Sequence, residues 1–326
     1  MLENRHIRLA ISLTRGAEFL ELRDKATDED LLWHGHPAIT SNAGGTPSTH
    51  RHEGNFLDHF AGGWQEIFPS GGDPSTYLGA DFGQHGEVAL LPWTATILQD
   101  TAELIQVRFE VTSRLMPITL ARTITLGCEQ TGIHLDEIAT NHSDIELPVM
   151  WGHHISIGGP WAVAANRITV PDLTPIQVPV CEWPQYRWAP GAHTWPHVTK
   201  TDGAVEDVRT LPVSDRSEGH LILGPMTEGR ILLEAPALSR TVTFEWPVGD
   251  YPYAWCWFVY NGHPSWPLWG RHRLITIEPF TSPLLPLATA ARTGKARIVP
   301  ASGSITATVA VTFGSINEEN IYDFSH

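Results

Sequence analysis

The chain has 326 residues, 42 % of them hydrophobic and 17 % charged, with a formal net charge of −15. That length and apolar content support a large core and exclude a disordered chain. The negative charge would repel nucleic acid and anionic membrane surfaces alike, so neither is expected as a partner.

Three cysteines, Cys128, Cys181 and Cys256, are far apart and form no CxxC. They read as buried free thiols in a reducing compartment rather than as a disulfide framework. The start, MLENRHIRLAISL, has no long apolar h-region, and no apolar run approaches the ~20 residues of a membrane helix. A soluble, cytoplasmic protein is expected, acting as a monomer or homodimer. Tryptophan, at 13 against 6 tyrosines, is unusually frequent, and so is histidine at 17. Indole rings stack well on flat apolar faces such as those of sugars.

In chain order, short alternating segments dominate, and no helical periodicity lasts three turns. Ile7, Leu9 and Ile11 share one face of 6–13, and 17–22 and 30–33 continue around the acidic turn DKATDED. This is the pattern of a hairpin meander with a solvated tip. From 62 to 93 the chain reads GGWQEIFPSGGDPSTYLGADFGQHGEVALLPW. Its glycines permit tight turns, and His85 beside Gly86, bracketed by Trp64 and Trp93, has the look of a pocket edge on a loop.

Segments 94–99, 102–112, 118–126 and 132–141 are rich in Thr, Ile, Val and Leu and read as successive antiparallel strands. Segment 171–212 holds many prolines with Trp183, Trp188 and Trp195, and reads as a long irregular excursion. Strands resume at 220–223, 230–234, 241–246, 253–260, 273–278 and 304–313, and 284–292 is the only fair helix candidate. With no low-complexity linker and no internal repeat, one all-β domain over 1–326 is expected, built of antiparallel strands in stacked sheets.

Two later stretches carry chemistry. In NHSDIELPVMWGHHISIG, residues 141–158, adjacent strand residues point to opposite faces, so one of His153 and His154 faces a pocket and the other faces away. In LITIEPFTSP, residues 274–283, Leu274, Thr276 and Glu278 share a face. A carboxylate ending an apolar strand is costly to bury alone. Glu278 is therefore either a functional group, an exposed strand end, or a structural partner of Arg271 or Arg273. His34-x-His36 and His50-x-His52 could each set two imidazoles on one strand face, but no third metal ligand stands at a recognisable spacing. No phosphate-binding glycine loop occurs. Neither a metal nor an organic cofactor is expected.

Taken together, QHGEVALLPW, WGHHISIG after an N-H-S and a proline, and IEPFTSP near the end resemble the aldose 1-epimerase (galactose mutarotase-like) family, in its bacterial epimerase-like branch. The likeness runs from GAEFLELRDKATDEDLLW to ITATVAVTF. It implies a galactose mutarotase-like β-supersandwich whose pocket lies on the concave face of a large sheet. It also implies an enzyme that interconverts the α and β anomers of a small-molecule aldose. By motif, Glu278 would be the general base, His154 the general acid, and His85 a second histidine binding the substrate. By order along the chain, Arg51 and Asp215 would bind sugar hydroxyls. Trp64, Trp255 and Trp257 are candidate stacking walls. The family's usual proline or aromatic after the catalytic histidine is replaced by Ile155, a departure that bears on substrate identity. Two alternatives stand beside this reading. One is a sugar-binding protein without catalysis. The other is a glycan hydrolase or lyase, in which Glu278 would need Glu66 or Glu87 as a second carboxylate.

Overall fold

The computed structural model describes residues 1–35, 54–212 and 216–316. Its frame is a thirteen-stranded and an eight-stranded antiparallel sheet. The eight-stranded sheet contains Thr94–Asp100, Leu104–Thr112, Ile118–Gly127, Gly132–Asn141, Arg230–Ala235, Arg240–Glu245 and the last strand, Ser304–Ser315. Alternation is plain in Leu104–Thr112, Ile118–Gly127, Gly132–Asn141 and the last strand. In the last of them Ala307, Val309, Val311 and Phe313 point inward and are buried, while their neighbours face outward. Such alternation marks a sheet with one face on the core.

The large sheet is different. Its central strands are Trp64–Ile67, Gly152–Ile157, Arg273–Phe280, Tyr253–Tyr260 and Ser217–Leu223, side by side in that order. Gly152–Ile157 is buried at every residue, because both of its faces are covered. One face packs on the smaller sheet through a hydrophobic core shared by the two sheets. The other carries loops and a cavity. Gly152 is required here: a Cβ would lie 2.3 Å from the Phe280 ring and 2.6 Å from the Pro279 carbonyl oxygen.

Two local expectations are corrected. Segment 171–212 is not wholly irregular. Pro175–Val178, Gly191–Thr194, His197–Thr199 and Val205–Asp207 extend the large sheet beyond Ser217–Leu223. Strands of three or four residues broken by prolines leave too short an alternation to read. A helix, Gly54–His59, also went unread. At six residues it is shorter than the periodicity test can detect, although Phe56 and Phe60 stand at the i, i+4 spacing of one helix face. The expected helix at 284–292 is present as Leu287–Arg292. Among the described residues, no helix is long and apolar enough to cross a membrane.

Candidate functional site

His153 and His154 resolve the alternative left open by their strand. His154 lines the cavity, whereas His153 points between the sheets. The cavity has a volume of about 470 Å³. It lies against the strands that carry His154, Glu278, Trp257 and His220, and Phe56 and His85 cover it from the helix and the loop.

The strand ending in Glu278 pairs with that of His154, with Ile155 opposite Ile277 and Ser156 opposite Thr276. This brings His154 Nε2 to 3.7 Å from Glu278 Oε1, with both residues 4 % exposed. Thr276, on the same face as Glu278, accepts the Trp257 backbone N–H at 2.9 Å and donates its hydroxyl to Glu278 Oε1 at 2.6 Å. The hydroxyl is thereby oriented as a donor, and it holds the carboxyl in place. On the far side of the imidazole, Ser156 Oγ lies 3.3 Å from His154 Nδ1. The partners of Glu278 are His154 and Thr276, not Arg271 or Arg273; Arg273 instead donates to the Ala162 carbonyl at 2.8 Å and lies over the Tyr260 ring.

His85 sits on its loop with φ of 59°, a left-handed conformation rare for a residue with a side chain, followed by Gly86 at 72°. Such strain concentrates where surrounding structure fixes a functional group. The His85 ring lies 5.7 Å from that of His154 and 4.6 Å from Phe56, centroid to centroid. Its Nδ1 is buried without a partner among the described residues.

Burial governs the protonation of these groups. It pushes Glu278 up to about 8, with the Thr276 hydroxyl opposing the shift. It lowers His154 to about 3, helped by the nearby His85, and His85 itself to about 4. At neutral pH the Glu278–His154 pair therefore holds one proton, and burial places that proton on the carboxyl.

Trp255 and Trp257 both line the cavity. Trp64 does not. It is fully buried on the other face of the sheet, where its Nε1 donates to His153 Nδ1 at 3.1 Å, so its expected role as a pocket wall is corrected. Arg51 and Asp215 lie outside the described residues, as do His36, His50 and His52. Glu66 and Glu87, the carboxylates a hydrolase would have needed, are elsewhere. Glu66 is enclosed between the sheets, and Glu87 clamps a turn by accepting from Ser113, Arg114 and Leu115.

Sequence reasoning missed the cavity's other end. His220 lines it, stacked on Trp257 at 5.7 Å and 9°. Beyond them Glu218 accepts Trp257 Nε1 at 2.8 Å and His263 Nδ1 at 3.0 Å. The available signal was the alternation in SEGHLIL, which puts Glu218, His220 and Ile222 on one face.

Among the described residues, the only His, Cys, Asp and Glu side chains compact enough to hold a metal ion are Glu66, Glu137 and His153. Arg122 already lies 3.2 Å from Glu66 there, so a cation is present in the form of a guanidinium.

Several solved structures share this architecture. A "putative aldose 1-epimerase" of Klebsiella pneumoniae superposes with a TM-score of 0.72 at 14 % identity, covering 95 % of this chain and 77 % of that one. A protein of the same description from Escherichia coli gives 0.63 at 13 % identity, with 96 % and 98 % covered. A galactose mutarotase related enzyme of Lactobacillus acidophilus gives 0.62 at 15 % identity, with 97 % of each chain covered. At such identities the likeness establishes the fold, which is galactose mutarotase-like. No curated protein matches the sequence. The family model that does match, across residues 1–313, is described as Domain of unknown function (DUF4432), and the chain belongs to that family.

Proposed function

We propose that the protein is an aldose 1-epimerase, acting on a free or lightly modified sugar through Glu278 and His154. The observation that carries this reading is the pairing of those two groups, 3.7 Å apart on neighbouring strands, at the wall of a cavity lined by tryptophan. Anomer exchange needs one group to take the proton from the C1 hydroxyl while another protonates the ring oxygen. The open aldehyde then turns about C1–C2, and the ring closes on its other face with the roles reversed. Nothing else is consumed, so a pair sharing one proton suffices.

In the roles assigned here, Glu278 accepts from the anomeric hydroxyl and His154 donates to the ring oxygen. Burial favours the opposite starting state, with the proton on Glu278. A bound sugar corrects this, because its hydroxyls donate to the carboxylate and stabilise the charged form. His85, with an unpartnered ring nitrogen, is available to hold the sugar near the reacting bond.

The test is NMR saturation transfer between anomers of free hexoses, pentoses and hexose 6-phosphates. Exchange above the buffer rate for at least one sugar is the expected result. Tryptophan quenching by sugars without faster exchange would replace this reading with a binding protein. A hydrolase would need a second carboxylate at working distance, and Glu66 and Glu87, the two considered for it, do not line the cavity.

A further inference from the structure

The proposed exchange uses the end of the cavity at Glu278 and His154 and leaves the other end without a task. That end is nonetheless built. Glu218 is 4 % exposed, and it is oriented by the Trp257 indole at 2.8 Å and by His263 Nδ1 at 3.0 Å. A carboxylate only accepts, and it offers about four lone-pair positions, so capacity remains for a ligand hydroxyl. An anion would be repelled. Trp183 stands at the same end, its ring centroid 4.3 Å from that of His263, and it is 37 % exposed. A large indole left that open beside a fixed acceptor is a stacking platform for a sugar face.

The sheet register sets how far apart the two ends are. Glu278 is opposite Trp255 on the next strand, and Trp255 is opposite Ile222 on the one after, while Glu218 pairs with Val259. Glu278 and Glu218 are thus two strands and four residues apart, a diagonal of about 16 Å between Cα atoms. Between them Trp257 and His220 lie ring on ring, 5.7 Å apart. The result is a trough with an aromatic floor, a catalytic pair at one end and a hydroxyl acceptor at the other.

We propose that this far end is a second sugar subsite, so that the substrate is a reducing disaccharide. One ring lies over Glu278 and His154, and the linked ring stacks on Trp183 and donates a hydroxyl to Glu218. The inference rests on the epimerase reading for what happens to the first ring, but its test does not.

The ligands for that test are 1,5-anhydrohexitols and their 1→4-linked disaccharide counterparts, which lack the anomeric hydroxyl and cannot open. Each is titrated into the full chain while tryptophan fluorescence is followed. For at least one hexose the disaccharide form should bind about tenfold tighter than the single ring. Trp183→Ala and Glu218→Gln should each bring that ratio close to one. Two results overturn the proposal: no disaccharide in the set binds tighter than its single ring, or the two substitutions weaken both ligands by the same factor. Anomer exchange on the parent reducing sugars is measured separately. A disaccharide preference without exchange keeps the subsite and removes the epimerase, and exchange without the preference does the reverse.

Discussion

His153 and His154 are neighbours on one strand, and each meets a glutamate, but their surroundings leave different things free. On the closed face, between the sheets, every side chain of the network has a partner, although Glu137 Oε1 and Arg122 Nε make no hydrogen bond among the described residues. His153 Nδ1 accepts from Trp64, and its Nε2–H donates to Glu137 at 3.1 Å, which also accepts the Tyr251 hydroxyl at 3.0 Å. Glu66 accepts Trp151 Nε1 at 2.5 Å and meets Arg122, whose guanidinium also donates to the Ala17 carbonyl at 2.6 Å and stacks over Phe19. On the open face, His154 and Glu278 border a cavity, and His85 has a ring nitrogen without a partner among the described residues. The same residue types make a strut on one side and a candidate site on the other. The difference is whether a small molecule can reach them.

The sharpest way to break that contrast is to disable each face in turn. Glu278→Gln and His154→Asn should each slow anomer exchange by ~10²–10⁴-fold, with the thermal unfolding midpoint little changed. If either variant keeps the wild-type rate, its role is wrong. On the closed face Arg122→Met should act on stability instead. Removing the guanidinium leaves Glu66 and the Ala17 carbonyl without their buried donor, a loss of about 1–3 kcal/mol, read as a lower urea midpoint. A variant as stable as wild type would mean that the guanidinium makes no net stabilising contribution there.

The contrast also explains what the sequence could tell. Alternation over ten residues made Ile118–Gly127 and Gly132–Asn141 readable, and the WGHHISIG and IEPFTSP motifs pointed to His154 and Glu278. The strut was not readable. Arg122 alternates in register with Ile124 and Leu126, which places it inward, but its partner Glu66 lies 56 residues earlier and on the other sheet. Trp64 was misread for the same reason. A tryptophan beside glycines suits a pocket or a core equally, and only the pairing of its strand decides which. Glu218 and His263 were missed because their meeting depends on a loop folding back over the strand. Local pattern carries the faces of a strand; it does not carry which face is covered.

Titration should separate the faces further. On the open face, under the proposed function, the Glu278–His154 pair works while it holds one proton. The rate should therefore be level through mildly acidic and neutral pH and fall above about 8, where the pair loses that proton. A rate still rising at pH 9 would contradict a shared proton. On the closed face the consequence is for stability. Burial raises Glu66 to about 8 from 4.5, so folding favours its protonated form and its contribution is lost as pH rises towards 8. His153 is lowered to about 4 from 6.5, so its contribution is present above 6.5 and lost as pH falls. The two trends oppose each other below 6.5, and above it the Glu66 loss is joined by those of Glu137 and Glu278, which burial also raises. Between pH 6.5 and 8 the protein should lose about 2 kcal/mol from the Glu66 carboxyl, and Glu66→Gln should make the slope shallower by that share.

The smallest effect expected comes from Trp64→Phe, which removes a single hydrogen bond from the strut and keeps most of the ring. The Trp64 indole is the donor that makes His153 Nδ1 an acceptor, and so puts the ring proton on Nε2, facing Glu137. Without it the His153 nitrogen is buried and unpaired, at a cost of about 1 kcal/mol. Stability should fall by that amount while anomer exchange stays at the wild-type rate, because Trp64 reaches only the closed face. A loss of exchange with unchanged stability would mean that the indole reaches the cavity after all, and that the two faces of this strand are not separate.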